Sequence, residues 1–193
     1  MKFAAFLIVV LSAYVSASAQ MRPVPIEVAS ERSAARSRPD ERARIIPDVV
    51  RRRASATSSR ERSLEERAFD LVNTERRLRG LSPLKWSGDL LELARQHSQN
   101  MVAGGFFSQR GMDGSLVDGR AEQLGIDTWA AIGENIAFIR GYEQPADLAV
   151  DQWMKSPSHR NNLLSPRWRE AAIGVAIADN GTLYFTQVFI LRN

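Results

Sequence analysis

Cysteine does not occur in this chain of 193 residues. No disulfide can staple the fold and no thiol can carry a lipid, so the folded part must be held by its own core. Long apolar runs are also scarce. Phe3 to Leu11 forms one, too short for a stable bilayer anchor, which takes about 20 residues, and no second run of that length follows. Aromatic residues are missing from positions 20 to 60, where Arg, Pro, Ser and Ala dominate without apolar periodicity. Histidine occurs only twice, as His97 and His159. A Gly-x-Ser-x-Gly elbow is absent, which argues against a serine nucleophile at Ser156 or Ser158 although both lie beside His159.

What is present at the N-terminus points to export. Lys2, the apolar run and Ala17-Ser18-Ala19 have the anatomy of a secretory signal peptide spanning residues 1–19, cut after Ala19. The expected location is secreted or periplasmic, with no transmembrane segment after signal cleavage. Residues 20–62 read as a disordered linker, too polar to bury a core. Positions 21 to 60 carry ten Arg against five acidic residues, whereas positions 61 to 193 carry fifteen basic residues against seventeen acidic ones. The basic character of the chain therefore belongs to the linker. In an exported protein Arg51-Arg52-Arg53 reads as a solvated tether drawn to an acidic envelope surface, and no nucleic-acid partner is expected.

The ordered domain is expected over residues 63–193. Ser63-Leu64-Glu65-Glu66 has the form of a capping box, and Ala68, Leu71, Val72 and Leu78 follow at helical spacing up to Gly80. Ser87 precedes a second helix striped by Leu90, Leu91, Ala94, His97, Ser98 and Met101, stopped by Gly104-Gly105. His97 reads as a packing histidine on that stripe. A short third helix is expected over 118–124 and a strand over 132–139. Pro145 suits the first turn of a fourth helix bearing Leu148, Ala149, Val150 and Trp153, while Ser156 before Pro157 disfavours further helix. Residues 172–178 and 183–191 flank Asp179-Asn180-Gly181, a strong hairpin signal. Trp153, Trp168, Phe185 and Phe189 read as core aromatics, and Asp113-Gly114 as a turn. Helices, a strand, a helix and then paired strands make an α+β domain layered with helices on both faces of the sheet.

Five stretches, in order, carry a family resemblance: "LVNTERRLRGLSPLKWSGDLLELARQHSQNM", "FFSQRGMDGS", "IGENIAF", "WMKSPSHRNNLLSPRWREAAIGVA" and "YFTQVF". Together they resemble the CAP superfamily, the cysteine-rich secretory, antigen 5 and pathogenesis-related 1 group with its SCP-like extracellular domain, in its cysteine-poor bacterial form. The resemblance runs from about Leu64 to Phe189. It implies a three-layer α-β-α sandwich with a small antiparallel sheet and a central cleft, in which many members gather two His and two Glu that can bind a divalent metal such as zinc. Glu134 of the "GEN" motif and His159 match two of those four positions. The other two are held here by Gln109 and Ser156, which offer only a neutral amide and a neutral hydroxyl. Zinc sites need three or four ligands of N, S or carboxylate type, so Glu134 and His159 are expected to form at best an incomplete, weak zinc site completed by Gln109 and water.

Glu134 and His159 are expected to pair on a cleft wall, which would raise the imidazole pKa above its usual value of about 6.5. The alternative role for such a pair is to pin the loop after the fourth helix to the strand. Asn135 is expected to tie down backbone at the strand entry. Three functional readings stand at this point. One is a binding module whose cleft, lined by Glu134, His159, Gln109, Ser156 and Asn135, takes a small apolar or lipid-like ligand, a partner's peptide or an envelope component; some members of the family bind lipids or sterols. Another is a metal-assisted hydrolase of peptide or cell-wall material that uses Glu134 and His159. The third is an adhesin whose Arg-rich arm makes the useful contact.

Overall fold

The computed structural model describes residues 58–193. The expected signal peptide and all but the last few residues of the expected linker lie outside the described residues. Helix α1 (Ser59–Arg77) opens the domain, and its N-cap is Ser58, not the expected Ser63. The Ser58 hydroxyl accepts from the Glu61 N–H and the Glu61 carboxylate accepts from the Ser58 N–H. Both 58–61 and 63–66 have the Ser-x-x-Glu form, and the earlier frame is the one used. It leaves Glu65 inside the helix, where it pairs with Arg95 at 2.6 Å and accepts the Val175 N–H at 3.1 Å. Ala68 and Val72 are fully buried as expected, but Leu78 lies past the helix end and is 74% exposed.

Strand β1 (Lys85–Trp86) follows, then helix α2 (Gly88–Gly104), helix α3 (Val117–Gln123) and strand β2 (Trp129–Ile139). Gly105 closes α2 in the left-handed conformation, with φ 63°, as the Gly-Gly stop predicts. Helix α4 (Pro145–Lys155) begins on its proline and is followed directly by helix α5 (Pro157–Leu163). The expected loop after α4 is therefore a second short helix. Ser156 is extended, as a residue before proline must be, so α4 does stop there. Pro157 then serves as the first residue of α5, where its missing N–H costs nothing. Strands β3 (Glu170–Ile177) and β4 (Leu183–Arg192) form the expected hairpin.

The sheet order is β1-β3-β4-β2, which leaves β1 and β2 as edges. Pairing of β3 with β4 and of β4 with β2 is antiparallel, while the two-residue β1 runs parallel to β3. Side chains alternate across the strands and divide the core in two. On one face Ala171, Ile173, Val175, Phe185 and Phe189 pack with α1 and α4 through Ala68, Val72, Ala149 and Trp153. On the other, Ala172, Val188, Ile190 and Ile132 pack with α2 and α3 through Leu90, Leu93, Ala94 and Ala121. Helices thus cover both faces, and Trp153, Trp168, Phe185 and Phe189 are core residues. Helix α2 lies so close to β3 that a Cβ on Gly174 would sit 2.2 Å from the Arg95 backbone nitrogen. The Ser98 hydroxyl seals this contact by donating to the Gly174 carbonyl at 2.9 Å.

Candidate functional site

Three of the polar residues singled out in the sequence, Gln109, Glu134 and Asn135, come together at the middle of β2; His159 reaches it through its backbone and the Ser156 hydroxyl meets only Ser158. Consecutive strand residues point to opposite faces, and this parity decides the site. Gly133 and Asn135 face α5 and the segment after it: a Cβ on Gly133 would meet the Trp168 ring at 3.0 Å, and Asn135 Nδ2 donates to the His159 carbonyl at 3.0 Å. Asn162 Nδ2 donates in turn to Asn135 Oδ1 at 3.1 Å. Glu134 points the other way, toward α2 and α3.

The expected Glu134–His159 pair is not formed. The carboxylate partner of Glu134 is Arg120, whose Nη2 lies 2.5 Å from Glu134 Oε2. His159 meets the strand through its backbone carbonyl, and its imidazole is in no ion pair among the described residues. Its pKa is lowered by burial, opposite to the expected rise, because no carboxylate offsets the loss of water. The histidine nearest Glu134 is His97, with Nε2 3.9 Å from Glu134 Oε1. His97 is fully buried on its helix stripe, as its spacing predicts, but it packs beside the site instead of away from it.

The chemistry of this face follows from burial. His97 Nε2 lies 3.0 Å from the Ser108 carbonyl; a carbonyl can only accept, so Nε2 carries the proton and Nδ1 is bare. Burial, helped by the nearby Arg120 charge, pushes the His97 pKa down to about 3. The ring is neutral at physiological pH. Burial pushes the Glu134 carboxyl the other way, up to about 7, against the pull of Arg120. Glu134 Oε1 and His97 Nδ1 have no hydrogen-bond partner. Arg120 also donates through Nη1 to the Gln109 carbonyl at 2.8 Å and the Ser115 carbonyl at 3.1 Å, so it ties the loop after α2 to the strand.

Gln109 and Asn162 meet at the free edge of β2. Gln109 Nε2 and Asn162 Nδ2 both donate to the Glu134 carbonyl, at 3.0 and 3.2 Å. The Ile136 carbonyl, next outward along the same edge, accepts from Trp153 Nε1 at 3.0 Å. Asn135 is thus a mid-strand tie, not one at the strand entry. Ser156 stands at the start of α5 with its hydroxyl 3.3 Å from that of Ser158. Beyond Ile136 the edge turns apolar. Phe138 is 39% exposed, stands opposite Tyr184 in the ladder, and packs edge-to-face on Phe107 with centroids 4.9 Å apart.

These residues do not fit a zinc ion. Among the described residues no three His, Cys, Asp or Glu side chains group where they could hold a metal. The retained carboxylate is engaged by a guanidinium, and Gln109 spends its amide on the strand. Sequence reasoning missed Arg120, although a signal existed: it falls between Val117 and Ala121 on the apolar side of a short helix, where an arginine must have a buried partner.

A sheet covered by helices on both faces, with the "GEN" strand at its edge and the Ser-Pro-Ser-His helix beside it, defines an SCP-type domain. The cysteine-rich secretory protein family matches residues 69–189, and the chain belongs to this CAP family. It is 32% identical over 167 residues to the protein YkwD of Bacillus subtilis, covering 86% of this chain and 62% of that one. It is 36% identical over 129 residues to the membrane protein YlbC of the same organism, covering 66% of this chain and 34% of that one. The chain thus spans between about a third and three-fifths of the length of these curated relatives. Among solved structures it resembles an extracellular protein containing an SCP domain from Bacillus anthracis, with a TM-score of 0.59 at 25% identity over 72% of this chain and 45% of that one. An outer surface protein of Borrelia burgdorferi shares the fold, with a TM-score of 0.61 at 15% identity, covering 72% of this chain and 97% of that one. No helix of the described residues is long and apolar enough to cross a membrane.

Proposed function

We propose that this chain is an exported CAP-domain binding module, secreted or periplasmic, that takes a small apolar or lipid-like ligand beside the edge of β2. The observation that carries this reading is the half-open aromatic group at the end of the site. Phe138 lies on the same face as Glu134, four residues on, or about 13 Å along the strand. Its ring, with the half-buried Phe107 and Tyr184, forms a partly exposed aromatic surface next to the amide-lined edge. A partner peptide adding as a further strand is disfavoured at the centre, because the Glu134 and Ile136 carbonyls it would pair with already accept side-chain donors.

Metal-assisted hydrolysis by Glu134 and His159 is the reading this geometry supports less. A general base must reach the proton it removes, and Glu134 is 3% exposed with Arg120 on one oxygen. The arm reading rests on residues outside those described and gains nothing from the fold. The test is binding of a fluorescent long-chain fatty acid to the purified protein. One probe per chain is expected, with affinity reduced about tenfold in Phe138→Ser, since burying roughly 60 Å² of ring at about 25 cal/mol per Å² gives close to 1.5 kcal/mol. Probe binding that ignores Phe138→Ser, or turnover of casein or peptidoglycan that is lost in Glu134→Gln, would reject the proposal.

A further inference from the structure

The neutral amide of Gln109 beside Glu134 explains only part of why this site does not suit a divalent cation. The other part lies in Arg120, a residue outside the stretches that carry the resemblance. We propose that the Arg120 guanidinium is a built-in substitute for a metal ion: it occupies the Glu134 carboxylate and, with Gln109, makes the link between the loop after α2 and strand β2 that a shared metal would make.

Three sets of contacts carry this. Arg120 Nη2 bonds Glu134 Oε2 at 2.5 Å, and both side chains are buried, at 4% and 3% residue exposure. Solvent therefore screens neither charge, and the pair is close to electrically complete without a further ion. Arg120 Nη1 reaches two carbonyls of the loop, those of Gln109 and Ser115, so one guanidinium joins strand and loop through three hydrogen bonds. Gln109, at the position where the family motif has a metal-binding His, closes the same seam by donating to the Glu134 carbonyl. The seam is thus held on both sides of Glu134 by neutral or internally compensated groups.

Lack of a lone pair is not what keeps a cation out. Glu134 Oε1 has no hydrogen-bond partner, and the only imidazole beside it, His97, turns its protonated Nε2 toward the Ser108 carbonyl. A divalent ion on Oε1 would instead meet the Arg120 charge across a single carboxylate in a dry environment. Repulsion at that range is strong in a low-dielectric interior. Restoring ligands without removing the guanidinium should accordingly leave zinc binding poor, whatever ligand the neighbouring aromatic surface takes.

The experiment is calorimetric titration of zinc into the full chain and three variants. The first carries Gln109→His and Ser156→Glu, the second adds Arg120→Met, and the third adds Arg120→Lys in place of Arg120→Met. The expected result is little gain in the first, at least about a tenfold gain on adding Arg120→Met, and none on adding Arg120→Lys, which keeps the charge. Zinc-induced rise of the thermal midpoint should follow the same order. A tenfold or greater gain in the first variant alone overturns the proposal. So does a second variant that circular dichroism shows to be folded and that binds zinc no better than the first. If Arg120→Met prevents folding, the first variant decides: a tenfold gain refutes, and no gain supports.

Discussion

Replacing Arg120 with methionine keeps much of the side chain's volume and removes its charge, so the cost can be worked from the geometry. Arg120 and Glu134 are both nearly inaccessible to water. Breaking a buried ion pair from one side costs about 3–5 kcal/mol, because the remaining charge is left unpaired. The bonds to the Gln109 and Ser115 carbonyls are lost as well. Each is worth about 1 kcal/mol, and the half-buried Ser115 carbonyl can turn to water. The total is about 4–6 kcal/mol at pH 8, a large part of the stability of a domain this size. The cost also has a signed pH dependence. The folded pKa of Glu134, about 7, lies above its ordinary 4.5. A carboxyl raised in this way contributes stability that is complete below the unfolded value and is lost as pH rises through the folded value. Removing Arg120 raises the folded value further, so the variant loses more stability over the same rise. At pH 5, with the carboxyl protonated in both proteins, the penalty should shrink to lost hydrogen bonds, about 1–2 kcal/mol. Urea unfolding followed by tryptophan fluorescence at pH 5 and pH 8 reads this directly, since all four tryptophans lie in the described domain. A second substitution, Glu134→Leu, should recover much of the loss, because it removes the stranded charge. A cost below about 1 kcal/mol at pH 8, the scale of an exposed pair, or an equal cost at both pH values would refute the reasoning.

The two histidines should separate in a nuclear magnetic resonance titration. His97 should stay neutral with its proton on Nε2 down to about pH 3, and Glu134→Gln should leave the His159 midpoint where it is. The His97 shift contributes stability that is present above 6.5 and lost as pH falls toward 3, so a variant such as His97→Gln should flatten the acid limb of the stability curve. Gly174→Ala should cost about 3 kcal/mol or more, since its Cβ would stand 2.2 Å from the Arg95 nitrogen and the helix must lift from the sheet. A thermal midpoint within about 4 °C of the parent protein, roughly 1 kcal/mol at this size, would contradict that contact.

Much of the fold was legible because its signals are local. The Gly-Gly stop of α2, the proline start of α4 and the Asn-Gly hairpin each act over a few residues, and strand alternation placed Phe185 and Phe189 in the core. The misplaced N-cap had a different origin: Ser58 and Ser63 begin identical frames, and only tertiary partners for Glu61 and Glu65 choose between them. Pro157 stops one helix and starts another, and the residue alone does not say which follows. The site failed on parity. Motifs identify Glu134 and His159, but whether they meet depends on which strand face α5 covers. The neighbouring Asn135, not Glu134, took that face. Arg120 was invisible to motif reasoning because its role is to neutralise a buried charge, a matter of placement in three dimensions.

The central claim is that this domain binds an apolar molecule and does not perform metal-dependent hydrolysis at Glu134. Native mass spectrometry of the protein exported by a bacterial host, followed by organic extraction of whatever it carries, tests that claim most directly. The account predicts an apolar small molecule at about one per chain in the parent protein, retained in Glu134→Gln and depleted in Phe138→Ser. A stoichiometric divalent metal with no apolar molecule, lost on replacing Glu134 with Gln, would contradict it.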